Sequence, residues 1–329
     1  MTTSPTSQTT TGLDEATRDL LAGSLRELFT AGDEQASVSA ALEEMGWAEV
    51  RRSDPAGATT LLFTEQGRAL AASRALDDEL LTELSPVLPT PNGPRTVIIP
   101  LSEKPDGTGG VLLGPLDDIA EVVVPSSADG VVELSLVPAK ELDGVVMPAD
   151  AFDPGGWFLA TEVPAAEVRI TAGDAWARAV AAGHRALASE ITGVCEAALS
   201  MATAHTSARE QYGRPIASFQ AVRHRLAEAH VWLTAARITT ETAWSLADGD
   251  DGPWAARIAK LRAGRAQADL LRHTVQVLGA MGLTLESDMH RHVTRAAALD
   301  ALLGDHRTLA ETTGMDLLTG ANARPLVEI

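Results

Sequence analysis

Arg209-Glu-Gln-Tyr-Gly-Arg-Pro-Ile-Ala-Ser-Phe-Gln220 is the stretch from which the rest of the chain can be read. It leaves one long helical segment, turns at Gly213 and opens the next helix after Pro215, because glycine accepts the backbone of a tight turn and proline suits a helix start. Arg209, Gln211 and Gln220 supply donors around that turn. A polar hairpin with solvated charges would account for this stretch alone. It does not account for a second glycine-punctuated stretch, Gln276-Val-Leu-Gly-Ala-Met-Gly282, which closes a later helix where glycines let another backbone or a ligand come close.

Apolar periodicity on either side defines the helices. Val222, Leu226, Ala229, Leu233, Ala236 and Ala243 share one stripe of a helix that starts after Pro215 and stops near Gly249. Upstream, Trp176, Val180, Leu187, Ile191, Val194, Ala198 and Met201 form another stripe. Downstream, Ile258, Leu261, Ala268, Leu271, Val275 and Leu278 form a third, opening at Pro253 and closing at Gly279 or Gly282. A fourth helix is predicted from Ser287 to about Leu303, and four such helices joined by short turns predict a four-helix bundle over 171–322.

Residues 92–170 hold short β-branched runs (Thr96–Ile99, Val122–Val124, Val131–Leu136, Val145–Met147) broken by Pro, Gly and Asp, the pattern of a middle antiparallel β domain. Residues 13–91 read as a small N-terminal helical domain with breaks at Gly32, Pro55 with Gly57, and Pro86. The Ser/Thr-rich 1–12 reads as a disordered tail, without the cationic start and apolar run of a signal peptide. The expected fold class is α+β, mainly α.

With 329 residues, 45% of them hydrophobic, the chain can bury a full core. Its 26 basic against 45 acidic residues leave a net charge of -19, which repels phosphate backbones and anionic membrane surfaces, so neither nucleic acid nor membrane is an expected partner. Charges such as Arg178, Arg185, Glu190 and Glu196 interrupt every apolar run before it could span a bilayer. The single cysteine, Cys195, lies on an apolar stripe and reads as an inert core thiol of a cytoplasmic protein.

No acidic residue stands three before a histidine, as di-iron bundles require, and His290 and His292 point about 200° apart around a helix, so no metal is expected. Asp106–Gly110 lacks the Gly-Lys-Ser/Thr ending of a phosphate loop, and neither a G-x-G-x-x-G after a strand nor a G-x-S-x-G elbow occurs.

Taken together, these motifs resemble the acyl-CoA dehydrogenase family. Its bundle signature is matched by Arg209, Gln211, Tyr212, Gly213, Pro215, Ile216, Phe219 and Gln220, and its Gln-x-x-Gly-Gly-x-Gly element by Gln276, Gly279 and Gly282, with Ala280 replacing one glycine. Met45-Gly-Trp47 and Glu65-Gln-Gly-Arg68 are weaker echoes near the start. The resemblance implies FAD bound between the β domain and the bundle, with the two bundle motifs reaching across a subunit interface to the ADP half of a neighbour's FAD. It assigns Arg209 to the pyrophosphate and Gln211, Tyr212, Gly213, Phe219, Gln220, Gln276, Gly279 and Gly282 to the same cofactor. It also implies an acyl-CoA substrate, a glutamate that removes the acyl α-proton as the β-carbon gives a hydride to flavin, and electron-transfer flavoprotein as acceptor.

That glutamate is missing. The two positions from which the family takes it fall on Gly304 and Gly183, leaving Asp305, one residue displaced and one carbon shorter, as a possible substitute. The family's Thr-Glu-Pro-x-x-Gly-Ser-Asp loop is reduced to Leu101-Ser-Glu-Lys-Pro-Asp-Gly107. Such a pattern resembles the shorter subunits of the heteromeric, α2β2 acyl-CoA dehydrogenases of actinobacterial steroid catabolism, whose partner supplies the glutamate; the ending Ala301-Leu-Leu-Gly-Asp-His-Arg307 is similar to theirs. The resemblance therefore implies a base-lacking subunit. A homomeric enzyme using Asp305 and a non-catalytic scaffold or regulatory paralogue are the alternatives.

Overall fold

The computed structural model describes residues 12–31, 35–149, 156–164 and 169–320. The expected tail, up to residue 11, and the break at Gly32 lie outside them. Five helices come first: α1 (Glu15–Ala31), α2 (Gln35–Glu44), α3 (Trp47–Ser53), α4 (Pro55–Ala69) and α5 (Ala75–Leu84). Asp54 starts α4 by accepting from the Gly57 amide at 2.8 Å, with Pro55 in the first turn.

Seven strands follow: β1 (Arg95–Val97), β2 (Gly109–Leu112), β3 (Glu121–Ala128), β4 (Val131–Pro138), β5 (Val146–Pro148), β6 (Phe158–Thr161) and β7 (Arg169–Thr171). They make two sheets, β1-β3-β4-β7 and β2-β6-β5. The expected antiparallel β domain is mixed, because β1 pairs with β3 in parallel, Thr96 opposite Val122. The chain leaves β1, builds a strand of the other sheet and only then returns, which permits a parallel entry that a hairpin forbids.

The bundle consists of α6 (Asp174–Ala208), a hairpin of β8 (Glu210–Gln211) and β9 (Arg214–Pro215), α7 (Gln220–Ser245), α8 (Gly252–Leu278) and α9 (Met289–Ala301). A fifth helix, α10 (His306–Leu318), adds to the four expected and packs on α8. It escapes periodicity because it buries only Leu309 and Thr313. The stripe expected on α8 is also offset. Leu271 and Leu278 are buried, but Ala268 is exposed and Ile258, Leu261 and Val275 are half-buried, while Ala256, Ala259, Ala263, Ala266 and Leu270 form the inner face. Alanines line the seam because helices in close contact leave no room for larger side chains.

No helix among the described residues is long and apolar enough to cross a membrane. Cys195 is buried, and burial pushes its thiol well up.

The N-terminal helices join the bundle through backbone contact between α4 and α6. A methyl group on Gly193 would lie 2.1 Å from the Thr64 carbonyl oxygen, and one on Gly67 would lie 2.1 Å from that of Glu190. Replacing Gly193 with alanine should therefore destabilise the fold by about 1–3 kcal/mol through overpacking, even though alanine is the better helix former by about 1 kcal/mol. Urea unfolding of Gly193→Ala checks this, and a midpoint raised above the parent's would show that α4 and α6 do not touch there.

Candidate functional site

At the hairpin between α6 and α7, Gln211 pairs with Arg214 across a two-residue turn in which Tyr212 and Gly213 have φ of 54° and 75°. Both positive angles match the twist of a tight hairpin, and a tyrosine carries one of them at a cost. The Ile216 amide donates to the Arg209 carbonyl at 2.8 Å, the Arg214 guanidinium lies 4.3 Å from the Phe219 ring centroid, and Tyr212 meets that ring edge-on. Tyr212 is 93% exposed. Arg209, Gln211 and Gln220 are also exposed, and their side chains make no hydrogen bond or ion pair among the described residues.

Helix register brings the second motif to the same end of the bundle. Arg225 Nη1 stands 3.4 Å from His273 Nδ1, and His273 Nε2 stands 3.3 Å from Glu228 Oε2, so Gln220 at the start of α7 comes level with the end of α8. There Gln276 is exposed, and Gly279 has a φ of 66° with nothing within 4 Å of where a side chain would begin. Gly282 is buried instead, folded beneath the helix end, where a side chain would begin 2.7 Å from the Val275 carbonyl oxygen. A groove of about 720 Å³ runs along this end between Leu271, Gln276, Leu283 and Val293. Leu283 and Leu285 are exposed beside it, at 79% and 85%.

Leucine side chains crowd the two positions that lack a carboxylate. Gly183 is buried in α6, and a side chain there would begin 2.5 Å from Leu303 Cδ1 and 3.2 Å from Leu80 Cδ2. Gly304 has a φ of 100°, with Leu309 Cδ2 2.9 Å from the equivalent point. The turn around it is fixed from three sides. Lys260 Nζ donates to the carbonyls of Asp300 and Gly304 at 2.8 and 3.1 Å, and His184 Nε2 meets the Leu303 carbonyl at 3.0 Å. The Leu303 amide donates to Pro100 of the β region at 2.9 Å. Burial lowers the pKa of Lys260 and pulls that of His184 down to about 3.

Asp305 serves as the N-cap of α10, accepting from the Arg307 amide at 2.8 Å and the Thr308 hydroxyl at 2.7 Å. Partial burial opposes its ionisation, yet these hydrogen bonds hold its carboxyl below the usual range.

The reduced loop at Leu101–Gly107 latches the β region to the bundle. Glu103 Oε1 accepts from Arg257 at 2.8 Å, Arg257 reaches Asp316 at 2.8 Å, and the Glu103 carbonyl accepts from the Trp176 indole at 3.0 Å. Neither this latch nor the Lys260 anchor was foreseen, since nothing in the spacing of single charges marks a tertiary pair. The histidines His290 and His292 each bond a backbone carbonyl, of Ser287 and Asp288, and no three His, Cys, Asp or Glu among the described residues gather to hold a metal ion.

Residues 172–318, a little under half of the chain, match the family profile "Acyl-CoA dehydrogenase, C-terminal domain". Proteins of that family bind FAD. The acyl-CoA dehydrogenase IpdE2 of Mycobacterium tuberculosis is 35% identical over 121 residues, covering 37% of this chain and 37% of that protein. The match thus spans little more than a third of the curated relative. The solved ChsE4–ChsE5 complex from Mycobacterium tuberculosis superposes at a TM-score of 0.73 and 20% identity over 95% of this chain and 99% of that one. The Tcur3481–Tcur3483 steroid ACAD G363A variant superposes at 0.71 and 22% identity, over 92% and 98%. These structural likenesses establish the acyl-CoA dehydrogenase fold.

Because Asp305 caps a helix, Asp305→Ala should cost about 0.5–2 kcal/mol of stability at neutral pH. Its folded pKa is depressed, so its contribution is present above the unfolded value of 3.8 and is lost as pH falls through the folded value. Urea midpoints of parent and variant, compared at pH 7 and near pH 3, should converge at the lower pH. Equal midpoints at pH 7 would remove the capping role.

Proposed function

We propose that this chain is the base-lacking subunit of a heteromeric, FAD-dependent acyl-CoA dehydrogenase, and that a glutamate-bearing partner completes the site. One observation carries the reading: the positions for a base, Gly183 and Gly304, are glycines crowded by leucine side chains, while the motif-bearing end of the bundle is open and its donors are unpaired. A scaffold that had discarded the cofactor has no use for exposed, unpartnered Arg209, Gln220 and Gln276 at one helix end. A homomeric enzyme using Asp305 would need the side chain that α10 needs for its cap.

The residues fit the ADP half of FAD. Arg209 offers a charge-assisted fork to a pyrophosphate, Gln211, Gln220 and Gln276 offer amide groups, and Gly279 lets a backbone approach that a side chain would block. Tyr212 and Phe219 set the hairpin that presents them, and Gly213 and Gly282 shape its turn and the helix end. FAD, when bound, supplies the electron acceptor for α,β-dehydrogenation of an acyl-CoA thioester. In this division the chain contributes binding and orientation, and the partner's glutamate removes the α-proton. Leu283, Leu285 and Val293 give the partner an apolar rim to cover.

An α2β2 assembly, a steroid side-chain CoA thioester as substrate, electron-transfer flavoprotein as acceptor and a cytoplasmic location complete the proposal. They are supported by the Leu-Leu-Gly and His-Arg ending and by the fold shared with a steroid ACAD and with a two-protein complex.

Co-expression with a glutamate-bearing subunit tests it. The pair should co-purify as a yellow, active heterotetramer, while the chain alone should be colourless or poorly soluble and inactive toward acyl-CoA. A stable yellow homo-oligomer that oxidises an acyl-CoA unaided would overturn the reading. In the complex, Arg209→Ala should remove a charged hydrogen bond of about 1.5–3 kcal/mol, a loss of roughly ten- to a hundredfold in flavin affinity. Unchanged flavin occupancy at limiting FAD would remove Arg209 from the site.

A further inference from the structure

A second cavity, of about 940 Å³, opens where α3, α4 and α5 meet the first third of α6 and the end of α7. Trp244, near the end of α7, stands 24 positions along the helix from Gln220, so this cavity lies roughly 36 Å from the motif-bearing end.

Its inner wall holds charges that are paired apart from Arg185, with Asp248 and Asp250 exposed at the rim. Arg51 pairs with Glu79 at 3.1 Å, and Thr59 also donates to Glu79 at 3.2 Å. Arg178 pairs with Glu83 at 3.3 Å. Arg185 is only 8% exposed and its side chain makes no hydrogen bond or ion pair among the described residues; its Nε is buried without a partner. The guanidinium lies 4.6 Å from the centroid of the Trp244 ring, which holds it by its face, and the indole Nε1 of Trp244 is likewise buried without a partner. Glu83, Glu79 and Asp248 act on Arg185 through space, but the first two have their own arginines and Asp248 is exposed at the rim.

Two orphaned donors, one of them a cation, thus sit together in the wall of a cavity. A buried cation without a counterion is unfavourable, and a neutral side chain of similar length would fill the same space. What is missing is an acceptor with negative charge. A planar guanidinium with its face on an aromatic ring offers its edge as a fork, which suits a two-oxygen planar group. Asp248 and Asp250 at the rim disfavour a doubly charged phosphate. Pro55, Ala181, Ala182 and Ala247 supply an apolar wall, and the volume is that of a small-molecule pocket.

We propose that this cavity binds a small amphipathic carboxylate, its head paired with Arg185 above Trp244 and its apolar body against the alanine and proline wall. The site is distinct from the bundle-end motifs, and its failure would leave the subunit reading untouched.

Calorimetric titration of the purified protein, alone or in its complex, with decanoate, decanamide and inorganic phosphate tests it. Decanoate should bind, and decanamide and phosphate should each bind at least about tenfold more weakly. Arg185→Met should lose decanoate binding by about tenfold or more while its melting temperature without ligand stays level or rises, because an unpaired buried cation has been removed. Trp244→Phe keeps the ring beneath the cation and should retain part of the binding. Equal binding of decanoate and decanamide, phosphate binding as tight as decanoate, or full decanoate binding by Arg185→Met would each overturn the proposal. A marked fall in the melting temperature of Arg185→Met would do so too, by making Arg185 a structural cation.

Discussion

Glu190 sits in the middle of a helix that is buried along most of its length, and its carboxylate has no water to turn to. It is satisfied by Arg295 of α9 at 2.6 Å and by Gln66 of α4 at 3.0 Å, while Arg295 also donates to the Ala71 carbonyl and stacks on Trp157 beside the β sheets. One buried charge pair therefore joins the N-terminal helices, the strands and two bundle helices. Removing either partner of such a pair leaves a charge without compensation, a loss of about 3–5 kcal/mol, so the elements around it must be placed together or not at all. The backbone contact at Gly67 and Gly193 is the steric side of the same constraint, since Gln66 reaches Glu190 only because α4 lies directly on α6.

With α6 fixed, the fate of the chemistry follows. The side of the bundle facing the β region is sealed by leucines at Gly183 and Gly304, by the Glu103–Arg257 latch and by the Lys260 anchor. The far end, where the hairpin and the last turn of α8 meet, carries donors with no internal partner and apolar residues with no cover. Polar groups that a fold needs for itself are satisfied inside it. Those left open at this helix end face solvent and are free to meet a ligand.

Much of this was legible in the order of residues. Tyr-Gly before Arg-Pro gave both the turn and the helix start, and the stripes on α6 and α7 matched buried faces, because large apolar residues there do face the core. On α8 the same reasoning chose the wrong face: its seam is built of alanines, and a pattern weighted by large side chains follows the flank instead. Glu65-Gln-Gly-Arg68 read as a family echo, and the fold gives it a physical use. Glu65 bridges Arg26 and Arg68, Gln66 reaches Glu190, and Gly67 allows the crossing. The parallel entry of β1, the helix α10 and the plug of Leu303 depend on partners far away in the chain, which no local pattern encodes.

The turn at Gly304 is shaped by more than its glycine. Lys260 is fully buried with its ammonium on the carbonyls of Asp300 and Gly304 and 3.6 Å from the Asp300 carboxylate. A side chain set at position 304 would begin 2.9 Å from Leu309 Cδ2 and 3.7 Å from Glu103 Cγ, so a carboxylate there would approach a second acid. It would also have to displace Leu309 from a backbone with φ of 100°, where a side chain is strained before any contact is counted. The electrostatics and the packing of this turn therefore favour a stable corner over a reactive one. A chain built this way keeps the acyl-CoA dehydrogenase fold while leucine side chains crowd both glycine positions and the backbone at Gly304 is left-handed.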